Sequence, residues 1–340
     1  MSTTTTIDEA KLEAFVGHAV TELGAALNAA LVTLGAELAT RTETHERYVR
    51  EWLNVQAASG FVVYDAGLDA YVLPPEHALV LADDTSPVSL TADFEAANAV
   101  VAIRERLAER FVSGDGVGWH EHHHGLWHGT ERAFGIAYRT HLVGEWLPAL
   151  DGVVERLQAG ALVADVGCGH GASTILMAEA FPASRFAGFD YHAESIATAR
   201  RRAEEAGVAD RVTFEVAGAD GYGGEGYDLV AFFDSLHDLG DPVAAARHAA
   251  RALAPDGACL IVEPYAGDSI EDNLTPLGRV YYAFSTLVCT PGSLSQPGRA
   301  GLGTQAGEAR LAETLRAGGF ATVRRAAETP LNLVLEARLA

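Results

Sequence analysis

The chain has a single lysine. Lys11 is the only one among 340 residues, and 24 basic side chains stand against 46 acidic ones, for a formal net charge of −22. Affinity for a phosphate backbone or an anionic bilayer is built from clustered Lys and Arg, so neither nucleic acid nor a membrane surface is an expected partner. Cysteine is scarce too. Cys168, Cys259 and Cys289 are far apart and form no CxxC pair, which argues against a disulfide framework and a thiolate zinc cluster. No apolar run approaches the roughly 18 residues of a membrane span. The polar start MSTTTTIDEA is not a signal peptide, so a cytoplasmic location is expected. Internal repeats and low-complexity tracts are missing.

What is present begins with LVADVGCGHGAST, residues 162–174. An apolar strand ends in Asp165, turns through Gly167, Gly169 and Gly171, and leads into a helical pattern over 172–180. Glycines at these spacings let the backbone turn sharply and approach a ligand closely, and the helix start offers free N–H groups. A nucleotide-like cofactor fits. The same letters satisfy a loose dinucleotide fingerprint at Gly167, Gly169 and Ala172, so a nicotinamide oxidoreductase is a rival at this point. Asp165, two residues before the first glycine, would partner an ammonium-bearing ligand instead. FAGFDYH then puts Asp190 at the end of a second strand, where a carboxylate accepts both hydroxyls of a ribose. A third strand, VTFEV, is followed by AGAD, and a fourth, YDLVAFF, by DSLHDLGDP.

This ordered set resembles the class I S-adenosylmethionine (SAM) methyltransferases over roughly residues 130–340. The resemblance implies that Asp165 and the loop Gly167, Cys168, Gly169, His170 and Gly171 hold the aminoacyl part of SAM. It implies that Asp190 holds the ribose and that Tyr191 and His192 flank the adenine. The family commonly has an acid just before an alanine after the third strand, whereas this chain reads Gly218, Ala219, Asp220. Either Asp220 reaches the adenine amino group from a shifted position or a backbone N–H does so. DSLHDLGDP resembles the LHDWxD stretch of winged-helix O-methyltransferases, whose histidine takes a proton from the acceptor hydroxyl. His237 occupies that place, and its near-neutral pKa suits the task. Related folds use a histidine here only to line the pocket. Asp234 and Ser235 are expected to touch cofactor or substrate, and Asp241 before Pro242 to cap a helix.

Apolar residues at Leu12, Phe15, Val16, Val20, Leu23, Leu27 and Leu31 predict a long helix over 8–34. GAELATRT predicts a short helix, and THERYVREWLNVQAASG a second one capped by Thr44 and ended by Gly60. FVVYDAGLDAYVL reads as two strands around a turn. Together they form a winged-helix-like module, which by itself would suggest a DNA-binding regulator. Residues 1–90 hold four basic side chains against thirteen acidic ones, so a role in dimerisation and substrate shaping is preferred. The link between the long helix and GAELATRT is shorter than the family pattern, which leaves open whether the module is complete. The expected domains are 1–90, a winged-helix-like dimerisation domain; 91–128, a linking helix over 91–111 and a His-rich lid; and 129–340, the SAM-binding domain. Strand–helix alternation from 161, ending in ATVRRAAETPLNLVLEARL, predicts an α/β, Rossmann-like doubly wound sheet with an antiparallel C-terminal hairpin.

WHEHHHGLWHG, residues 119–129, contains HExxH at His120, Glu121 and His124, but flanking glycines favour a loop over the helix that a zinc protease needs. The preferred expectation is a hydrogen-bonding lid in which His120, His122 and His123 meet the substrate, with no metal. A looser metal site drawn from His120, His122, His124 and His128 and a plain solvated loop are the alternatives. Tyr281, Tyr282 and Phe284 in GRVYYAFSTLVCTPGSLSQPG would shape an apolar acceptor pocket, and core packing explains them equally well. The expected activity is SAM-dependent methyl transfer to a small, mostly apolar molecule by a homodimer. O-methylation comes first, with N- or C-methylation behind it.

Overall fold

Val32–Thr33 (β1) forms a two-residue strand where the sequence predicts the end of a long helix. The computed structural model describes residues 32, 33 and 35–340, so the rest of the helix expected over 8–34 lies outside the described residues. Both residues of β1 are β-branched, which favours extended backbone, and they pair antiparallel with Val72 and Tyr71. Two helices follow, α1 (Gly35–Arg41) and α2 (Glu46–Ala58), then the hairpin β2 (Val63–Asp65) and β3 (Ala70–Val72), giving a sheet of order β1-β3-β2. Asp65 Oδ1 accepts the N–H groups of Gly67 and Leu68 and so closes the hairpin turn. Leu38, Val49, Leu53, Tyr71 and Leu73 are buried together and join helices to wing.

The cap of α2 differs from expectation. His45 accepts the Arg47 N–H at 3.2 Å, while the Thr44 hydroxyl lies 2.7 Å from that of Thr42 and is used there. Gly60 ends the helix at φ +77°, as its position predicts. A helix α3 (Pro75–Leu81) follows. The single helix expected over 91–111 is two, α4 (Thr91–Ala102) and α5 (Arg104–Ser113), broken at Ile103 without a proline or glycine to mark the place. The first compact unit reaches Asn98 and takes in Gly125–Ile136, most of α6 (His124–Ala137). Gly129 explains the join: a Cβ there would lie 2.7 Å from Ala96 N and 2.8 Å from Ala92 O. Glu95 adds bonds to His128 and Arg132 at 2.7 and 2.8 Å.

The second unit holds residues 99–124 and 137–340. Its chain runs from a π-helical stretch, Tyr138–Trp146, through α7 (Val153–Ala159), β4 (Leu162–Val166), α8 (Ala172–Ala180), β5 (Arg185–Asp190) and α9 (Ala193–Glu205). It continues with β6 (Val212–Val216), β7 (Tyr227–Phe233), α10 (Pro242–Ala252), β8 (Leu253–Pro264) and α11 (Pro276–Phe284). A short α12 (Thr290–Leu294), α13 (Gly307–Gly318) and the hairpin β9 (Thr322–Glu328), β10 (Asn332–Arg338) complete it. The seven strands lie in the order β6-β5-β4-β7-β8-β10-β9, with β10 antiparallel to both neighbours. This is the expected doubly wound sheet with its antiparallel ending. Apolar strands such as β7 and β8 are buried because helices cover both faces. From β4 the chain steps outward to β5 and β6, then returns to β7 on the other side of β4. The crevice for a ligand therefore opens at the carboxyl ends of β4 and β7. Asp241 caps α10, accepting the Ala244 N–H at 2.8 Å. Among the described residues no helix is long and apolar enough to cross a membrane.

Candidate active site

Three strand ends bring Asp165, Asp190 and the loop from Asp234 to His237 to the carboxyl end of the sheet. At the end of β4, Asp165 is fully buried, and its Oδ2 accepts the hydroxyls of Ser173 and Thr174 at 2.6 Å each. Its Oδ1 is buried with no partner. Burial pushes this carboxyl up to about 6, against the pull of the two hydroxyls. The loop beyond it turns through Gly167, Gly169 and Gly171, all at positive φ. A Cβ on Gly171 would strike the Phe214 ring at 2.5 Å, whereas one on Gly169 would meet nothing within 4 Å. The open side of the loop is thus at Gly169. Cys168 is buried, which drives its thiol well above the ordinary range, and His170 is half-buried beside it.

At the end of β5, Asp190 accepts the Gly169 N–H at 3.0 Å and the His192 N–H at 2.8 Å, one on each oxygen. Two backbone donors fix the carboxylate and leave lone pairs for a diol. His192 is buried, with Nδ1 2.8 Å from Ser195 Oγ. Tyr191 is exposed, and its phenol meets the Trp119 backbone. Beyond β6, Ala219 is half-buried against the core and Asp220 is exposed.

The loop after β7 is held more tightly than the sequence indicates. Asp234 sits at φ +49°, a left-handed conformation that an aspartate tolerates better than most residues. Tyr138 donates to its Oδ2 at 3.4 Å, Asn332 to its Oδ1 at 3.3 Å, and its own N–H bonds Val262 O. Burial first, and Glu263 second, push Asp234 up to about 8. Ser235 donates to Val166 O at 2.8 Å, tying this loop to the glycine turn. His237 is 2% exposed. Glu263, at the end of β8, accepts the N–H groups of Leu236 and His237 on Oε1 and binds His237 Nδ1 with Oε2. Burial works to lower the basicity of the ring, and Glu263 and Asp238 outweigh it, so His237 stays protonated well above its ordinary range. Tyr138, Glu263 and Asn332 were not singled out by sequence; only Glu263, an acid closing the buried run CLIVEP, carries a local signal.

The His-rich run is a 3₁₀ turn, Trp119–Glu121, followed by the start of α6 at His124. His120 and His124 share no helix, and these histidines form no three-residue metal group among the described residues. Burial lowers the basicity of His192, and His120 is among the charges that act on it. His122 is 6% exposed, both its ring nitrogens lack partners, and burial lowers its pKa to about 4. The His123 and His124 rings lie 4.1 Å apart. His128 is occupied by Glu95. On α11 the Tyr281 hydroxyl donates to Leu331 O at 2.8 Å, and Tyr282 and Phe284 are half-buried.

The acid-flanked glycine loop on β4 and the acid closing β5 lie within a methyltransferase domain, which follows a winged HTH domain in the chain. Residues 157–291 match the family model of a methyltransferase domain, and residues 10–83 that of an Rv2258c-like winged HTH domain. The 27-O-demethylrifamycin SV methyltransferase of Amycolatopsis mediterranei is 38% identical over 103 residues, 30% of this chain and 38% of that protein. The chain spans less than half the length of the curated relatives it matches. In fold it is similar to the mitomycin 7-O-methyltransferase MmcR, at TM-score 0.68 and 21% identity over 97% of this chain and 96% of that one. It is also similar to human N-acetylserotonin methyltransferase in complex with SAM, at TM-score 0.64 and 17% identity over 100% and 99% of the two chains.

Replacing Glu263 tests the geometry of the β7 loop directly. Glu263→Ala strands two buried N–H groups and a charged imidazole, and is expected to cost about 3–5 kcal/mol in urea unfolding at unchanged m. Glu263→Gln, which keeps a neutral acceptor, should cost less. An alanine variant as stable as the parent would show that these bonds do not hold the loop.

Proposed function

We propose that the protein transfers a methyl group from SAM to a hydroxyl of a small, mostly apolar metabolite, with His237 as the base. The supporting observation is the buried His237–Glu263 pair at the carboxyl end of β7. With Nδ1 committed to Glu263, Nε2 is the nitrogen that exchanges protons: once it has given up its own it takes a hydroxyl proton, and Glu263 makes the ring a stronger base. Asp238 Oδ1 lies 3.2 Å from Nε2 and adds a second negative charge that favours the protonated ring.

The residues fit SAM, which when bound supplies an electrophilic methyl group. The unpartnered Asp165 Oδ1 is assigned to its ammonium, Asp190 to its ribose diol, and the open face at Gly169 to its backbone approach. Cys168, His170, Ser235 and Asp234 shape the same loops, and Tyr191, His192, Ala219 and Asp220 border the base. His122, neutral and with both ring nitrogens unpartnered, is assigned to the acceptor, with His120 and His123 beside it in the cover. The faces of Tyr281, Tyr282 and Phe284 are assigned to the apolar wall. An aromatic hydroxy acid is the acceptor class of choice, since an O-methyltransferase from neocarzinostatin biosynthesis with this fold binds 1,4-dihydroxy-2-naphthoic acid.

The winged-helix domain is assigned to self-association. Its second helix, the one that reads DNA in regulators of this shape, exposes Tyr48, Trp52 and Val55 at i, i+4 and i+7. An apolar stripe on an acidic domain suits a second copy of the chain better than a phosphate backbone. Light scattering on the purified protein should give twice the chain mass, and Trp52→Glu should shift it towards monomer; a monomeric parent retires the assignment.

Only ionised Asp165 holds an ammonium, and its carboxyl is raised to about 6. Calorimetric affinity for S-adenosylhomocysteine should therefore be full above about pH 7 and fall through pH 6, reaching roughly tenfold weaker near pH 5. Asp165→Asn should bind weakly and without this pH dependence. A parental affinity that stays flat over the range would remove Asp165 from the site. For the base, His237→Gln should lower turnover of hydroxynaphthoates roughly 10²–10⁴-fold while affinity for S-adenosylhomocysteine holds. Parental turnover in that variant would make His237 a pocket wall.

A further inference from the structure

The same loop, together with Cys289, carries chemistry beyond proton transfer. A ring nitrogen of His237, a carboxylate oxygen of Asp238 and Cys289 Sγ all lie within 4.8 Å of one another, the one such group of three metal-ligand types among the described residues. Asp238 Oδ1 is 3.2 Å from Nε2, yet the ring N–H is not aligned on it, and this buried oxygen accepts no hydrogen bond. Cys289 is 7% exposed. The two segments are locked together independently of the three side chains: Ser293 donates to Leu239 O at 2.7 Å, and Gln296 to Asp238 O at 2.8 Å. Glu263 on Nδ1 completes the pattern in which a carboxylate fixes the far nitrogen of a ligating imidazole.

We infer that His237, Asp238 and Cys289 form a binding site for one soft divalent cation of the Zn²⁺ type. Imidazole, carboxylate and thiolate in a dry setting are the donor set that such ions take, and three protein ligands leave the fourth tetrahedral position open. The ion replaces the protons on Sγ and Nε2, so binding releases two protons. On the reading of His237 as base, the loaded protein is inactive, because the ion occupies the nitrogen that accepts the substrate's proton.

The test is a Co²⁺ titration of the untagged, chelator-stripped full chain. One equivalent should raise a thiolate-to-cobalt charge-transfer band in the near ultraviolet, Zn²⁺ should displace it, and Cys289→Ser should abolish it while Cys259→Ala keeps it. Cobalt absorption without a thiolate band, the signature of binding to the histidines at 119–128, overturns the site. So does a band that survives in Cys289→Ser. Because the parent alone gives or withholds the band, a variant that fails to fold does not shelter the proposal. Turnover separates the two readings: a band with turnover lost and restored by chelator supports both, whereas a band with turnover intact keeps the site and withdraws the base.

Discussion

One buried carboxylate organises the site. Glu263 ends β8 and reaches across to the loop after β7, where it satisfies two backbone N–H groups and the His237 ring. Without it, the first turn beyond β7 would leave buried donors unpaired, and the chain would have to carry Leu236 and His237 towards water. With it, the loop turns inward and is stitched through Ser235 to Val166, so the β7 loop and the glycine turn of β4 are positioned as one body. The pairing also settles the charge of His237, since an isolated buried imidazole would be neutral, as His122 is.

Burial is the common cause behind the other unusual groups. Asp165 and Asp234 are raised to about 6 and 8, and Asp190 is raised as well, because each loses water faster than it gains donors. A protein of net charge −22 gathers these acids at the strand ends of a single sheet, where neighbouring carboxylates add to burial in raising them. Hydroxyls, an amide and backbone N–H groups, rather than Lys or Arg, orient the carboxyls.

What the sequence discloses is what is local. The glycine turn, Asp165 and Asp190 follow from strand–turn–helix grammar within about 30 residues, and the C-terminal hairpin from two short apolar runs. Contacts that join distant segments were not legible: Tyr138 lies 96 residues from Asp234, and Asn332 lies 98 residues from it. Cys289 had no local motif to recommend it, because its neighbours His237 and Asp238 come from another connection of the sheet. Small local errors had equally local causes. Thr44 was a plausible cap until Thr42 claimed its hydroxyl, and β1 read as the end of a helix because a two-residue strand has no periodicity of its own.

The antiparallel hairpin, which separates this sheet from the dinucleotide-binding kind, has a role beyond filling the edge. Asp234 is held in a left-handed conformation at the point where β7 leaves the sheet, a strain of order 1–3 kcal/mol that persists only under outside support. Its N–H is fixed by Val262 on β8 and its carboxyl by Asn332, the first residue of β10, whose register opposite Pro264 is set by the reversed strand direction. A parallel strand at that position would bring its amino end, and its first side chain, to the opposite edge of the sheet. Reversal of β10 is therefore what delivers an amide to the carboxyl end of β7, and with it the bend that carries Ser235 to Val166 and His237 to Glu263.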